Sequence, residues 1–189
     1  MAIVIDNLTK RYGSKTVLDN LSLYIASPGV TVISGASGRG KTTLLRLMAG
    51  LEKPDGGTIT GIGRLSYMFQ EPRLLPWLTA AENINLILGD NAETMPNALA
   101  WLDRVERRDA VNQLPAALSG GMQQRVALAR TLAFGGDTIL LDEPFRALDR
   151  PLRLRLYPLL QEAAKTAAVV IVSHDPEDAE ALAAEKIEL

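Results

Sequence analysis

Apolar residues recur along this chain with two different periods. Short runs rich in β-branched and large apolar residues predict strands over 2–8, 21–25, 30–34, 65–69, 138–141 and 168–172. The run at 21–25 alternates apolar and polar positions, whereas those at 138–141 and 168–172 are almost wholly apolar. An alternating strand keeps one face in water; a continuous run is covered on both. Helical spacing covers 41–49, 80–88, 97–104, 120–133, 152–165 and 177–184. Turn residues punctuate the elements at Ser27-Pro28-Gly29 and Pro54-Asp55-Gly56-Gly57, and Gly50 and Gly135-Gly136 close helices. Between Glu71 and Leu118 the strand-like runs vanish and helical patterns take over. The pattern predicts an α/β fold: a mostly parallel sheet flanked by helices, with an N-terminal β portion. The helical stretch at about 71–118 reads as an insertion within one domain spanning 1–189, whose core is about 1–70 and 119–189.

Composition narrows the chemistry. A chain of 189 residues with 47% hydrophobic content can bury one substantial core. A net charge of -2 argues against a general nucleic-acid surface. The absence of cysteine excludes disulfides and thiolate ligands, and one histidine excludes a histidine-rich metal site. The first residues lack a basic region followed by a long apolar segment, so no signal peptide is expected. No uninterrupted apolar stretch reaches membrane-spanning length, so membrane association is expected only through a partner.

Four motifs then follow in order. Gly35-Ala36-Ser37-Gly38-Arg39-Gly40-Lys41-Thr42 lies after a predicted strand and opens a predicted helix, the context a phosphate-cradling loop requires. Its glycines let backbone N–H groups approach phosphate oxygens, and the helix N-terminus favours a polyanion. Lys41 suits the β- and γ-phosphates, and the Thr42 hydroxyl suits Mg²⁺. Asp142 and Glu143 end a buried strand, the edge of an open α/β sheet where ligands bind. Asp142 suits the role of an acid that faces a phosphate loop and holds Mg²⁺ through a bound water, and Glu143 can orient or deprotonate an attacking water. Ser119-Gly120-Gly121 opens another helix and makes a second anion site, or else an ordinary helix cap. A single triphosphate needs only one such site, so the second points to the nucleotide of another subunit. His174 follows a buried strand; it reads as a structural histidine or as a neutral imidazole donating to a γ-phosphate.

Taken together these residues resemble the ATP-binding subunits of ABC transporters, over nearly the whole chain. Gly35 to Thr42 is similar to the Walker A motif of that family, Leu118 to Gln123 to its signature motif, and Ile139 to Glu143 to Walker B with its catalytic glutamate. Gln70 falls at the Q-loop glutamine, His174 at the switch histidine, and Ala147-Leu148-Asp149 at the D-loop. Tyr12 matches the aromatic that stacks on adenine. The resemblance implies a P-loop NTPase fold with a RecA-like core, and a head-to-tail dimer with two Mg-ATP at the interface. Gly35, Ser37, Gly38, Gly40, Lys41, Thr42 and Thr43 of one chain would face Ser119, Gly120 and Gly121 of the other. Thr42, Gln70 and Asp142 would serve Mg²⁺; Glu143, His174 and Gln70 would serve hydrolysis; Asp149 would communicate across the interface. The implied partners are transmembrane permease subunits and, through them, a solute-binding protein, with no nucleic acid. That places the chain in the cytoplasm at the inner face of the membrane.

Residues 70–78, Gln-Glu-Pro-Arg-Leu-Leu-Pro-Trp-Leu, resemble importers of the nitrate, sulfonate and taurine type; an export ATPase or a non-transport ATPase of the same family are the alternatives. The apolar members of this stretch read equally as core or as a groove for the permease. Two residues depart from the family: Arg146 stands where the D-loop usually has a small residue, and Arg39 adds a charge to the phosphate loop. The chain ends soon after the His174 helix, so no regulatory domain is expected.

Overall fold

The computed structural model describes residues 2–189; Met1 lies outside them. Five strands form a parallel sheet in the order β5-β6-β7-β3-β8. They are β3 (Gly29–Ser34), β5 (Leu65–Met68), β6 (Thr138–Asp142), β7 (Ala168–Val172) and β8 (Glu185–Glu188). A second, antiparallel sheet has the order β2-β1-β4, from β1 (Ile3–Tyr12), β2 (Lys15–Ile25) and β4 (Gly56–Thr60). The helices are α1 (Lys41–Met48), α2 (Ala80–Leu88), α3 (Met95–Arg104), α4 (Gly120–Phe134), α5 (Arg150–Ala163) and α6 (Pro176–Ala181).

The apolar runs explain the layering. Every residue of β6 and β7 is buried. Successive side chains point to opposite faces, so Ile139, Leu141, Val169 and Ile171 join one core with α4 and α5. Leu140, Val170 and Val172 join another, beneath α1 and the antiparallel sheet. Each such Val, Leu or Ile contributes about 1.5–3 kcal/mol by leaving water. Register then lines up the strand ends: Asp142 and Ile33 both pair with Val172, and Met68 pairs with Leu141. The segments that follow, carrying Gly35, Gln70, Glu143 and His174, therefore leave the sheet at one edge.

Three elements differ from the sequence expectation. β1 runs on to Tyr12 and β2 starts at Lys15, through bulges at polar residues whose pattern is that of a sheet wet on one face. The turn expected at 54–57 leads into β4, where Gly57 sits at φ 81 with its missing Cβ 2.4 Å from Asp6 O. Only glycine allows that approach to β1. β8, Glu-Lys-Ile-Glu, carries no apolar signal because it is an edge strand. Residues 71–118 hold α2, α3 and two short 3-10 turns, with no strand. Among the described residues no helix is long and apolar enough to cross a membrane.

Candidate nucleotide site

The loop after β3 makes three positive-φ steps, Gly35 at 137°, Gly38 at 79° and Gly40 at 94°. Gly40 caps α1, and a Cβ there would come within 2.9 Å of Val17 and Leu18 side chains. The loop thus needs glycine both for its backbone and for its seat on β2. Lys41 is buried, and its Nζ donates only to the carbonyls of Gly35 and Ala36, at 2.8 and 3.0 Å. A buried ammonium with no carboxylate in hydrogen-bond reach is a cation in need of an anion. Ser37, Gly38, Gly40, Lys41, Thr42 and Thr43 line a cavity of about 280 Å³ whose far wall is Gln70, Glu143 and His174.

Thr42 Oγ1 donates to Asp142 Oδ1 at 3.2 Å. Burial pushes the Asp142 carboxyl above its ordinary range, opposed by the Thr42 hydroxyl and the charges of Arg46 and Lys41. Glu143 sits at φ 52, a strained conformation for a non-glycine residue. Three hydrogen bonds hold that backbone: its N–H donates to Val172 O at 3.0 Å, and its carbonyl accepts from Gln124 Nε2 at 2.9 Å and from Arg146 N–H at 3.1 Å. His174 Nε2 lies 3.0 Å from Glu143 Oε1, yet Oε1 is buried with no aligned hydrogen-bond donor. That oxygen is therefore left open to a donor. Burial raises the Glu143 carboxyl, His174 opposes the shift, and Asp142 adds to it.

Lys41, the Thr42 and Thr43 hydroxyls, Gln70, the Glu143 carboxylate and His174 thus share one cleft. The family model described as ABC transporter matches residues 18–146. The chain belongs to that family. Among relatives, the aliphatic sulfonates import ATP-binding protein SsuB of Yersinia pestis is 44% identical, covering 96% of this chain and 70% of that protein. SsuB 1 of Burkholderia cenocepacia (strain HI2424) is 42% identical over 96% of this chain. This chain spans only 59% of the length of that Burkholderia relative. Among solved structures, the dimeric bacterial ABC transporter cassette MJ0796 superposes with TM-score 0.90 at 32% identity, covering 99% of this chain and 94% of that one. Its dimeric post-hydrolysis state bound to ADP and Pi gives 0.89 at 31%, with the same coverage. The P-loop NTPase fold class expected from the sequence is therefore that of this family.

The remaining expected residues lie apart from the cleft. Ser119 caps α4 by accepting from Met122 N–H at 3.3 Å, and Ser119 and Gly120 are exposed. A Cβ on Gly121 would sit 3.1 Å from Ala147 O, so this corner packs on the 145–149 loop. Asp149 is exposed and caps α5 through Leu152 N–H at 3.1 Å. Neither Ser119-Gly120-Gly121 nor Asp149 lines the phosphate-loop cavity or the neighbouring one of about 430 Å³. That second cavity is shared by Gln70, Glu143, Arg146, Arg153 and His174. Tyr12 is half exposed and lines neither; its hydroxyl donates to Glu52, and Lys10 Nζ lies 5.3 Å from its ring centre.

Two contributors escaped the sequence reading. Val17 lines the phosphate-loop cavity from β2, and Gln124 holds the Glu143 carbonyl from α4. A valine among polar strand residues and a glutamine inside a helix carry no local signal.

Proposed function

We propose that this chain is a Mg²⁺-dependent ATPase subunit that works as a head-to-tail dimer and drives a transmembrane permease, as an importer. The observation that carries it is the split between a phosphate-loop cleft that is open on one side and a second, exposed glycine-rich helix start at Ser119 that takes no part in that cleft. A site of this kind is completed by another copy.

The residues fit both groups. Lys41, Thr42, Thr43 and the loop N–H groups offer donors to the phosphates, while Val17 offers an apolar wall. Thr42 and Asp142 supply hard oxygens for Mg²⁺, with Gln70 in the same cleft. No cluster of three or more acidic or histidine ligands occurs among the described residues, which suits a metal held largely by phosphate and water. When bound, Mg²⁺ neutralises charge that builds on the phosphates. Glu143, with a free acceptor oxygen and a raised affinity for protons, takes the proton of the attacking water. His174, beside that carboxylate at 3.0 Å, would donate to the γ-phosphate. Ser119, Gly120 and Gly121 of a second copy close the cleft, and Asp149 lies at the seam. Tyr12 carries the adenine. The import direction is favoured by the names of the relatives and by the 70–78 stretch. A solute-binding protein would act through the permease, outside this chain.

Complementation tests the reading. Ser119→Arg and Lys41→Ala each abolish hydrolysis alone. Mixed, they recover a fraction of the wild-type rate, since one intact loop then faces one intact corner. No recovery in a colorimetric phosphate assay would mean that each chain works alone.

A further inference from the structure

Helix α4 is 15 residues, about 22 Å long, and three of its polar contacts bear on the site and on the segment after Gln70. Ser119 caps its exposed end. Gln124 holds the carbonyl of Glu143. Further along, Arg130 Nη2 donates to the carbonyls of Pro72 and Arg73, both at 3.0 Å, and Nη1 reaches Asn83 Oδ1 at 3.3 Å. Only neutral oxygens accept from this guanidinium. Burial lowers its affinity for the proton, so the arrangement is kept at a solvation cost.

Asn83, on α2, is wholly buried and completes the grip. Its Oδ1 accepts from Leu75 N–H at 2.8 Å, and its Nδ2 donates to the carbonyls of Leu75, Leu78 and Thr79 at 3.2, 3.0 and 3.0 Å. The stretch 72–79 has neither helix nor strand to satisfy its backbone. Beside a turn bond from Leu78 N–H to Leu75 O and the Thr79–Glu82 capping contact, Arg130 and Asn83 supply most of its partners. Arg73 within it sits at φ 45, a conformation a non-glycine residue keeps only when its surroundings hold it. The same stretch begins two residues after Gln70 and exposes Trp77, 70% accessible.

We propose that Arg130 is a positioning residue that ties the 72–79 stretch to α4. A displacement of the Ser119 end, on meeting the nucleotide of a second copy, is thereby transmitted to the surface around Trp77. The proposal rests on the dimeric ATPase reading. Its physical warrant is a continuous path of hydrogen bonds from one rigid helix to a segment outside any helix or strand.

The test uses backbone hydrogen exchange read by mass spectrometry, with and without Mg-ATP, in a Glu143→Gln background that holds nucleotide. In the parent, ATP changes exchange over both 119–125 and 71–79. In Arg130→Gln the change over 119–125 persists, the change over 71–79 is lost, and ATP affinity stays within about twofold. Arg130→Lys, a point charge without the planar fork, restores only part of it. An unaltered ATP response over 71–79 in a folded Arg130→Gln protein overturns the coupling alone. No response over 119–125 in the parent overturns the dimer reading and the coupling with it. If Arg130→Gln does not fold, Asn83→Ser is read in the same way. Failure of both variants to melt cooperatively assigns the pair a purely structural role and ends the proposal.

Discussion

The parallel sheet and the 72–79 stretch are held mainly by different forces, although the helices that follow the stretch share the sheet's apolar core. In β6 and β7 every side chain is buried and the strands pair residue for residue. The stretch 72–79 instead hangs from directional bonds to Arg130 and Asn83, and α2 opens with a capping box between Thr79 and Glu82. Apolar burial is non-directional and is lost only when the core opens. A hydrogen bond contributes only about 0.5–1.5 kcal/mol net and can be exchanged for another. The first kind of cohesion suits a platform that must hold Gly35, Asp142, Glu143 and His174 in fixed relation. The second suits a part that changes its contacts while the platform stays intact.

The largest effect that could break this comparison comes from the sheet. Val170 is wholly buried between Thr31 and Leu140. Val170→Asp buries an unpaired carboxylate at a cost of several kcal/mol, against a total stability of about 5–15 kcal/mol. The expected outcome is loss of the cooperative thermal transition. A folded, active Val170→Asp protein would show that the sheet is not the platform.

A smaller and opposite effect is expected at the sheet edge. The Asp142 and Glu143 carboxyls are both raised by burial. The folded state therefore holds their protons more tightly than the unfolded chain does. That contribution is complete below the ordinary carboxylate range, about pH 4, and is lost as pH rises through the raised values. Asp142→Asn removes the burden of a buried charge while keeping an oxygen for Thr42. The nucleotide-free variant should melt higher than wild type near pH 7, with the gain shrinking toward about pH 4, and Mg²⁺-dependent ATP binding should be lost. Calorimetry at the two pH values measures both. A variant that melts lower at neutral pH would mean that the Thr42 contact outweighs the buried charge.

The smallest effect belongs to the exposed part. Trp77→Ser should shift stability by no more than about 0.5 kcal/mol and leave ATP hydrolysis by the free subunit unchanged. Its expected consequence is weaker capture by a permease in membrane pull-down. A drop in melting temperature typical of a core tryptophan would erase the contrast between the regions.

How far the sequence carried depended on the range of each signal. The glycine loop at 35–42 was legible because its glycines act through local backbone geometry and open a helix at once. The strands at 138–141 and 168–172 were legible because covering both faces demands an unbroken apolar run. β8 was not, since an edge strand facing water needs no such run. The left-handed backbone of Glu143 had no signal either: glutamate does not favour that conformation, and contacts from β7, Arg146 and α4 impose it.

By itself the sequence determined the α/β class, the helical character of 71–118 and the chemical identity of the cleft residues. Each follows from spacing within a few residues, where backbone sterics and side-chain periodicity act directly. Only the tertiary structure decided which of those residues share a cavity. It set Ser119 and Asp149 outside the cleft, brought Val17 into it, and hung 72–79 on α4. Those relations join positions tens of residues apart, and they exist only once strand register and core packing have fixed the distances between them.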